Sequence, residues 1–368
     1  MKVTRRTFCS LCLKAGSLSL LAPHISAWAG KPYKEALHYT KLANGAVRCE
    51  RCPHGCELKM GQRGFCRVRE NQDGTLVSLV YGLPCSVHVD PIEKKPFFHV
   101  LPATNSFSLA TAGCNLRCKF CQNWQISQAE PEDIQAEELS GAAIAQLAER
   151  QQCPTIAYTY TEPTVFYEYI KDISEQASRC NIRSVMHSNG YINPEPLREL
   201  CQAITAANID LKGFTNKYYQ EVCSGDLETV LKSLVIIRKE QNRWLELTNL
   251  VIPGLNDNED DIKRMAQWIR KNLGPEVPLH FSRFHPMYKL TAIAPTPVST
   301  LEKARAIALQ EGLQFVYIGN VAGHPAESTY CPKCKAMVIK RSGYTVQDMQ
   351  LTNGSCRSCG TVIPGVWS

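Results

Sequence analysis

The feature that most constrains this chain is a regular alternation of strand-like and helix-like segments between residues 106 and 318. The predicted strands are residues 106–111, 155–160, 183–187, 207–211, 244–252, 278–284 and 314–318. The predicted helices are residues 138–150, 165–178, 194–204, 228–240, 258–272 and 300–311. Strands that alternate with helices usually pair in parallel, because each helix returns the chain across the sheet. We therefore predict an α/β fold with a partial (β/α)6-type, TIM-like parallel barrel; a doubly wound open sheet is the alternative.

Polar residues cluster where several of these predicted strands end. Ligands of parallel α/β folds bind at the carboxyl ends of the strands. The candidates for such a site are Thr161, Glu162, Asn189, Asp210, Lys212 and His285.

The segments on either side of this region lack helical periodicity and carry many of the 18 cysteines. Disulfide frameworks belong mainly to small domains with poor cores, so paired cysteines in a chain of 368 residues favour metal ligation. We predict four parts: a leader at residues 1–29, a small N-terminal Cys-rich cap at 30–105, the barrel at 106–325, and a C-terminal zinc-ribbon-like module at 326–368.

Each flanking part offers four thiolates for one metal site. Cys331 and Cys334, with Cys356 and Cys359, form two CxxC pairs that suit structural zinc or rubredoxin-like iron. In the cap, the four candidates are Cys49, Cys52, Cys56 and Cys66. They fit three kinds of site: a structural zinc, an auxiliary iron–sulfur cluster or a redox-active thiol pair.

A third group of cysteines follows the first predicted strand directly. Cys114, Cys118 and Cys121 provide three thiolates, whereas iron–sulfur clusters commonly take four. A 4Fe–4S cluster held here therefore keeps one iron open for chemistry. Zinc held by three cysteines and a water molecule is the alternative.

The Cx3CxPheC pattern of residues 114–121 resembles the radical SAM superfamily. That resemblance implies a 4Fe–4S cluster whose open iron binds S-adenosylmethionine (SAM), with Phe120 beside the adenine. Thr161-Glu162-Pro163 resembles the Gly-Gly-Glu-Pro motif that binds the methionine amino group, although Tyr160 and Thr161 replace the two glycines. The resemblance also makes Asn189, Asp210, Lys212 and His285 candidates for SAM contacts.

Further motifs narrow this resemblance to the AmmeMemoRadiSam-system radical SAM enzymes, which are related to pyruvate formate-lyase activating enzymes. The motifs are residues 89–96, 112–115, 121–124, 159–164 and 282–286. They imply an enzyme that reductively cleaves SAM to a 5′-deoxyadenosyl radical, with a flavodoxin or ferredoxin as electron donor. The substrate, whether small molecule, peptide or protein, stays open. Alternatives are an activase that makes a glycyl radical on a partner, and a non-catalytic electron-transfer module.

The N-terminus resembles a twin-arginine signal. Arg5-Arg6 precedes an Ala/Leu/Ser-rich stretch that ends near Ala27-Trp28-Ala29, which predicts export; an unprocessed basic tail is the alternative. The family resemblance instead favours the cytoplasm, so localisation stays open. The net charge of +7 includes four basic residues among the first fourteen, so we predict no nucleic-acid partner, and no apolar run is long enough for a stable membrane span.

Overall fold

The computed structural model describes residues 33–368. The predicted leader at residues 1–29 lies outside this range. Within residues 33–368, no helix combines the length and the apolar character needed to cross a bilayer.

The described range begins with six short strands that form two antiparallel sheets. One sheet has the order β1-β6-β5 and the other β2-β3-β4. The strands are β1 (Lys34–Glu35), β2 (Tyr39–Lys41), β3 (Val47–Cys49), β4 (Glu57–Leu58), β5 (Arg69–Gln72) and β6 (Thr75–Ser78). Strands this short bury little surface, which leaves the segment dependent on other sources of stability.

An eight-stranded sheet forms the centre of the molecule. Its strands are β7 (Ser86–Pro91), β8 (Asn105–Ala110), β9 (Thr155–Tyr158), β10 (Arg183–Ser188), β11 (Ala206–Asp210), β12 (Trp244–Val251), β13 (Leu279–Arg283) and β14 (Val316–Gly319). Each strand pairs with the next one in sequence, in parallel from β8 to β14 and antiparallel between β7 and β8. The predicted α/β class and parallel order are confirmed. In the described range β7 and β14 are the two edges, so the sheet is open.

Helices connect the parallel strands. They are α1 (Trp124–Ser127), α2 (Gly141–Arg150), α3 (Tyr167–Arg179), α4 (Pro194–Ala203), α5 (Asn216–Tyr218), α6 (Leu227–Val235), α7 (Glu259–Asn272) and α8 (Val298–Gln310). Side-chain caps fix where several begin: Ser140 accepts from the Ala143 amide before α2, and Asn258 accepts from the Asp260 and Asp261 amides before α7. The six predicted helices match the six longer ones. The short helices α1 and α5 were not predicted.

The parallel strands are buried on both faces, so they form continuous apolar runs rather than alternating ones. β9 is buried along its whole length, and β12 is buried except near Trp244 and Leu250. The edge strand β7 is different, because His88 and Val89 are exposed. Its weak apolar pattern explains why the sequence did not predict it as a strand.

The C-terminal segment packs against the open sheet through an aromatic and aliphatic core that includes Phe98, Phe315 and Ile339. Three antiparallel strands, β15 (Thr329–Tyr330), β16 (Met337–Ser342) and β17 (Thr345–Met349), are followed by the pair β18 (Leu351–Thr352) and β19 (Ser355–Cys356). His99 closes this contact: its Nδ1 donates to the Pro364 carbonyl at 2.6 Å, and its Nε2 accepts from the Tyr317 hydroxyl at 2.6 Å.

Candidate functional site

A cavity of roughly 460 Å³ lies inside the curved sheet and reaches the carboxyl ends of its strands. Its lining includes all of the predicted strand-end and cysteine-loop candidates except His285. Those lining residues are Cys114, Phe120, Cys118, Cys121, Thr161, Glu162, Asn189, Asp210 and Lys212. His285 is exposed on the loop after β13.

The cysteine loop directs its sulfurs toward this cavity. Gly113 has φ +95°, a conformation that glycine adopts without steric cost, and it turns the chain sharply after β8. The Cys114 sulfur accepts from the Leu116 amide at 3.4 Å and lies 3.8 Å from the Asn189 side-chain amide. The Cys121 sulfur lies 3.2 Å from the Ser127 hydroxyl. Donors around the sulfurs stabilise thiolates, which are the metal-binding form of cysteine.

A fourth cysteine lies beside this loop. A hydrogen bond from Cys223 and the nearby Lys212 ammonium lower the pKa of Cys118, although burial opposes them. Backbone hydrogen bonds from Arg117 to the Cys223 carbonyl and from Lys119 to the Val222 carbonyl, both 2.9 Å, hold the two segments together. Spacing along the chain did not identify Cys223 as a neighbour of Cys118, because the contact spans about a hundred residues.

Glu162 is 2% exposed and is held by a set of donors from two strand ends. Its Oε1 accepts from the Thr164 amide at 2.9 Å and from the Thr164 and Ser188 hydroxyls at 2.7 Å. Within residues 33–368, its Oε2 accepts one hydrogen bond, from the Asn189 backbone amide at 2.8 Å. A carboxylate oxygen has about two lone-pair sites, so Oε2 keeps one acceptor position toward the cavity.

The departure from the glycine motif just before Glu162 has a structural explanation. Tyr160 has φ +64°, the left-handed conformation that glycine favours. Its hydroxyl donates to Asp90 and lies 3.0 Å from the Lys95 ammonium. These two hydrogen bonds hold the Tyr160 side chain in place and so stabilise its strained backbone. Thr161 uses its hydroxyl to donate to the Thr111 carbonyl at 2.8 Å. The backbone thus keeps a glycine-like path without glycine.

Buried Lys212 and half-buried Asp210 form a charged pair on the cavity wall. The Lys212 ammonium lies 2.7 Å from one Asp210 oxygen, and His187 Nε2 lies 3.0 Å from the other. Burial alone would raise the pKa of Asp210, but Lys212 and His187 outweigh it and lower that pKa. Lys212 also lies 5.8 Å from the centre of the Phe120 ring, so the pair joins β11 to the cysteine loop.

Comparison with known proteins agrees with this arrangement. The family profile described as "Radical SAM superfamily" matches residues 108–269, which hold the cysteine loop and the ends of β8 to β12. The chain is also 48% identical over 332 residues to "Uncharacterized protein MJ0808" of Methanocaldococcus jannaschii, covering 90% of this chain and 98% of that protein. The chain belongs to the radical SAM superfamily. Membership implies radical chemistry that uses a 4Fe–4S cluster and SAM.

Two further similarities are more distant. "Putative glycyl-radical enzyme activating enzyme MJ1227" of the same organism is 24% identical over 164 residues, covering 43% of this chain and 65% of that protein. A crystal structure of a domain of pyruvate-formate lyase-activating enzyme from Bacteroides vulgatus is similar over 45% of this chain and 98% of that one. Its TM-score is 0.40 and its sequence identity 19%.

The cysteine loop, residues 114–121, is called the radical SAM loop from here on. Its three cysteines are suitable ligands for a four-iron cluster. Each thiolate of such a cluster binds a different iron, so the sulfurs stand farther apart than around one ion. Within residues 33–368, the loop sulfurs do not belong to a group of ligand atoms that all lie within 4.8 Å of one another. Cys114, Cys118, Cys121 and Glu162 line one cavity, so a cluster held by the three cysteines would have room beside it for a ligand.

The C-terminal cysteines have the geometry of a single-ion site. The sulfurs of Cys331, Cys334, Cys356 and Cys359 all lie within 4.8 Å of one another. Cys331 and Cys359 are 3.6 Å apart, and Cys334 and Cys356 are 3.7 Å apart. A tetrahedral zinc with Zn–S bonds of about 2.3 Å requires sulfurs about 3.8 Å apart. This group is therefore a candidate metal site, and zinc is our proposal for the ion.

Part of the cavity wall is formed by residues that strand-end reasoning did not single out, namely Lys95, His280 and Tyr344. Lys95 is 1% exposed and lies 2.5 Å from Asp90. His280 lines the same region and contacts Glu246 at 2.7 Å. Tyr344, at the tip between β16 and β17, brings the C-terminal segment to the cavity wall. Lys95 lies in one of the motifs that carry the family resemblance, which was the only sequence signal for this group.

Proposed function

We propose that this protein reductively cleaves SAM at a 4Fe–4S cluster held by Cys114, Cys118 and Cys121, and that the resulting 5′-deoxyadenosyl radical abstracts hydrogen from a substrate. The observation that carries the proposal is the convergence of these three sulfurs and the Glu162 carboxylate on one cavity in a radical SAM chain. The cluster and SAM, when bound, supply the one-electron cleavage of the carbon–sulfur bond.

The chain's own residues bind and orient SAM in this proposal. Glu162 Oε2 accepts a charge-assisted hydrogen bond from the methionine ammonium, for which its second acceptor position is available. Phe120 lies 6.4 Å, between ring centres, from the stacked Tyr218 ring, and the proposal places the adenine beside Phe120. Thr161 and Asn189 are held by hydrogen bonds of their own, so they shape the wall next to Glu162.

We propose that Asp210 and Lys212 bind the polar groups of the SAM nucleoside. Their mutual hydrogen bond fixes both side chains before a ligand arrives, which reduces the ordering cost of binding. His285 is exposed outside the cavity, so its predicted SAM contact would require the loop after β13 to move. We place the substrate in the part of the cavity that Lys95, His280 and Tyr344 line.

The chain needs a low-potential one-electron donor, for which a flavodoxin or ferredoxin is proposed. The activase alternative has one supporting observation, the partial similarity to a putative glycyl-radical enzyme activating enzyme. A stable glycyl radical formed on a partner protein would favour the activase over the modification of a small molecule or peptide.

The direct test of SAM binding is electron paramagnetic resonance (EPR) of the anaerobically reconstituted, reduced protein. Coordination of SAM to the open iron changes the signal of that cluster. We expect SAM to shift the spectrum of the wild-type protein and of a Cys180→Ala control, since Cys180 lies at the end of α3 outside the cavity. A spectrum that is unchanged by saturating SAM would contradict the proposal.

A further inference from the structure

Of the N-terminal cysteines Cys49, Cys52, Cys56 and Cys66, the last lies directly against the radical SAM loop. Gly113 precedes Cys114, and a Cβ added at Gly113 would stand 2.8 Å from the Cys66 carbonyl oxygen and 2.5 Å from Val68. The backbone that carries Cys66 therefore touches the backbone that carries Cys114. A side chain at residue 113 would separate the two loops.

Two polar side chains reinforce this contact. Arg117 donates to the Cys114 carbonyl at 2.9 Å and to the Phe65 carbonyl, and its guanidinium lies 4.1 Å from the centre of the Phe65 ring. His54 donates from Nε2 to the Asn115 carbonyl at 2.8 Å and stacks on Phe65 at 4.1 Å. Neighbours of the N-terminal ligands thus bond to neighbours of Cys114.

The N-terminal sulfurs are not gathered as tightly as those of the C-terminal site. In residues 33–368, the Cys331 group is the one set of three or more possible ligand atoms that all lie within 4.8 Å. Every set of three N-terminal sulfurs therefore contains a wider separation than the roughly 3.8 Å that a single tetrahedral zinc requires. Gly64 lies beside two of these sulfurs, since a Cβ there would stand 3.7 Å from the Cys56 sulfur and 3.8 Å from the Cys66 sulfur.

The surrounding charge fits an anionic metal–thiolate group. Arg51 and Arg69 are each 2% exposed and share a single carboxylate, Glu168, which leaves one positive charge uncompensated. Buried nitrogens of both guanidiniums, including Arg51 Nε and Nη1 and Arg69 Nε, have no hydrogen-bond partner in the described structure. Unpaired buried charge is costly, whereas four thiolates around a metal centre carry the opposite sign.

We infer that Cys49, Cys52, Cys56 and Cys66 hold a second 4Fe–4S cluster that passes electrons to the radical SAM cluster. One electron from a flavodoxin or ferredoxin reduces the N-terminal cluster from the 2+ to the 1+ state. The electron then moves across the Cys66–Gly113 contact, which returns the N-terminal cluster to 2+ and reduces the cluster at Cys114. This relay rests on the proposed function, because it needs the radical SAM cluster as its acceptor.

Metal analysis of a variant without the radical SAM ligands tests the second cluster. The full chain carrying Cys114→Ala, Cys118→Ala and Cys121→Ala is reconstituted anaerobically beside the wild type. We expect about eight irons per wild-type chain and about four in the triple variant, with an EPR signal on reduction that SAM does not change. Zinc in place of iron at the N-terminal site of the triple variant would overturn the inference. This outcome does not depend on SAM cleavage, so it separates failure of the second cluster from failure of the proposed function.

The relay has its own test in the double variant Cys52→Ala and Cys56→Ala. We expect this variant to lose about four irons and to keep the SAM-sensitive EPR signal, which also shows that it has folded. Its production of 5′-deoxyadenosine should be lost with reduced flavodoxin and retained with dithionite, which reaches the radical SAM cluster directly. Cys180→Ala should match the wild type with both donors. Equal production by the double variant and the wild type with flavodoxin would overturn the relay.

Discussion

Replacing Glu162 by glutamine should weaken SAM binding far more than it changes the fold. The substitution keeps the size of the side chain but removes the charge that the methionine ammonium meets at Oε2. A hydrogen bond to a charged group contributes about 1.5–3 kcal/mol, which corresponds to about a tenfold to hundredfold weaker affinity. The amide also cannot accept on both sides, so the Asn189 or Thr164 amide loses its acceptor, at a cost of about 1–3 kcal/mol in stability.

The assay is the dissociation constant of SAM, measured anaerobically on the reconstituted protein, together with thermal unfolding. Glu246→Gln is the matched control, because Glu246 is also fully buried and accepts from several donors, including the His99 amide at 2.8 Å. It does not line the cavity. We expect both variants to lose similar stability and Glu162→Gln alone to lose affinity. Equal SAM affinities in Glu162→Gln and the wild type would refute the role of Glu162.

Three further predictions concern stability and metal content. Glu168→Gln leaves two arginines buried without their carboxylate and should cost about 3–5 kcal/mol in denaturant unfolding, whereas removing the exposed Glu175 should cost less than about 1 kcal/mol. Cys334→Ala should release the C-terminal metal, which we propose to be zinc, and lower the melting temperature, while product formed per intact radical SAM cluster stays the same; loss of both in equal measure would contradict a structural site. Burial lowers the pKa of His99 to about 4 in the folded protein, so the unfolded chain binds more protons below pH 6.5 and the wild type should be about 1 kcal/mol less stable at pH 5.5 than at pH 7.5. The same dependence in His99→Gln would show that another group causes it.

The fold was predictable because local patterns determine it. The seven parallel strands are short apolar runs, the first six of them are each followed by a helix with an apolar face, and those signals depend only on nearby residues. The edge strand β7 escaped prediction, because its exposed side chains do not form the apolar run of a buried strand.

The candidate site was predictable where a motif carries the chemistry. The three cysteines and Glu162 could be named from spacing and from their position after strands. Cys223 beside Cys118, and Lys95 beside Tyr160, could not, because contacts between distant segments follow from packing that no local pattern encodes. The left-handed Tyr160 is a similar case: its conformation takes the place of a glycine that the sequence lacks.

The most direct test of whether this protein reductively cleaves SAM is the formation of 5′-deoxyadenosine. The full chain is reconstituted anaerobically, reduced with dithionite and incubated with SAM, and 5′-deoxyadenosine and methionine are quantified. We expect both products from the wild type and from Cys180→Ala, and neither from Cys118→Ala. A wild-type protein that contains the intact radical SAM cluster and yields no 5′-deoxyadenosine would contradict the proposed cleavage of SAM.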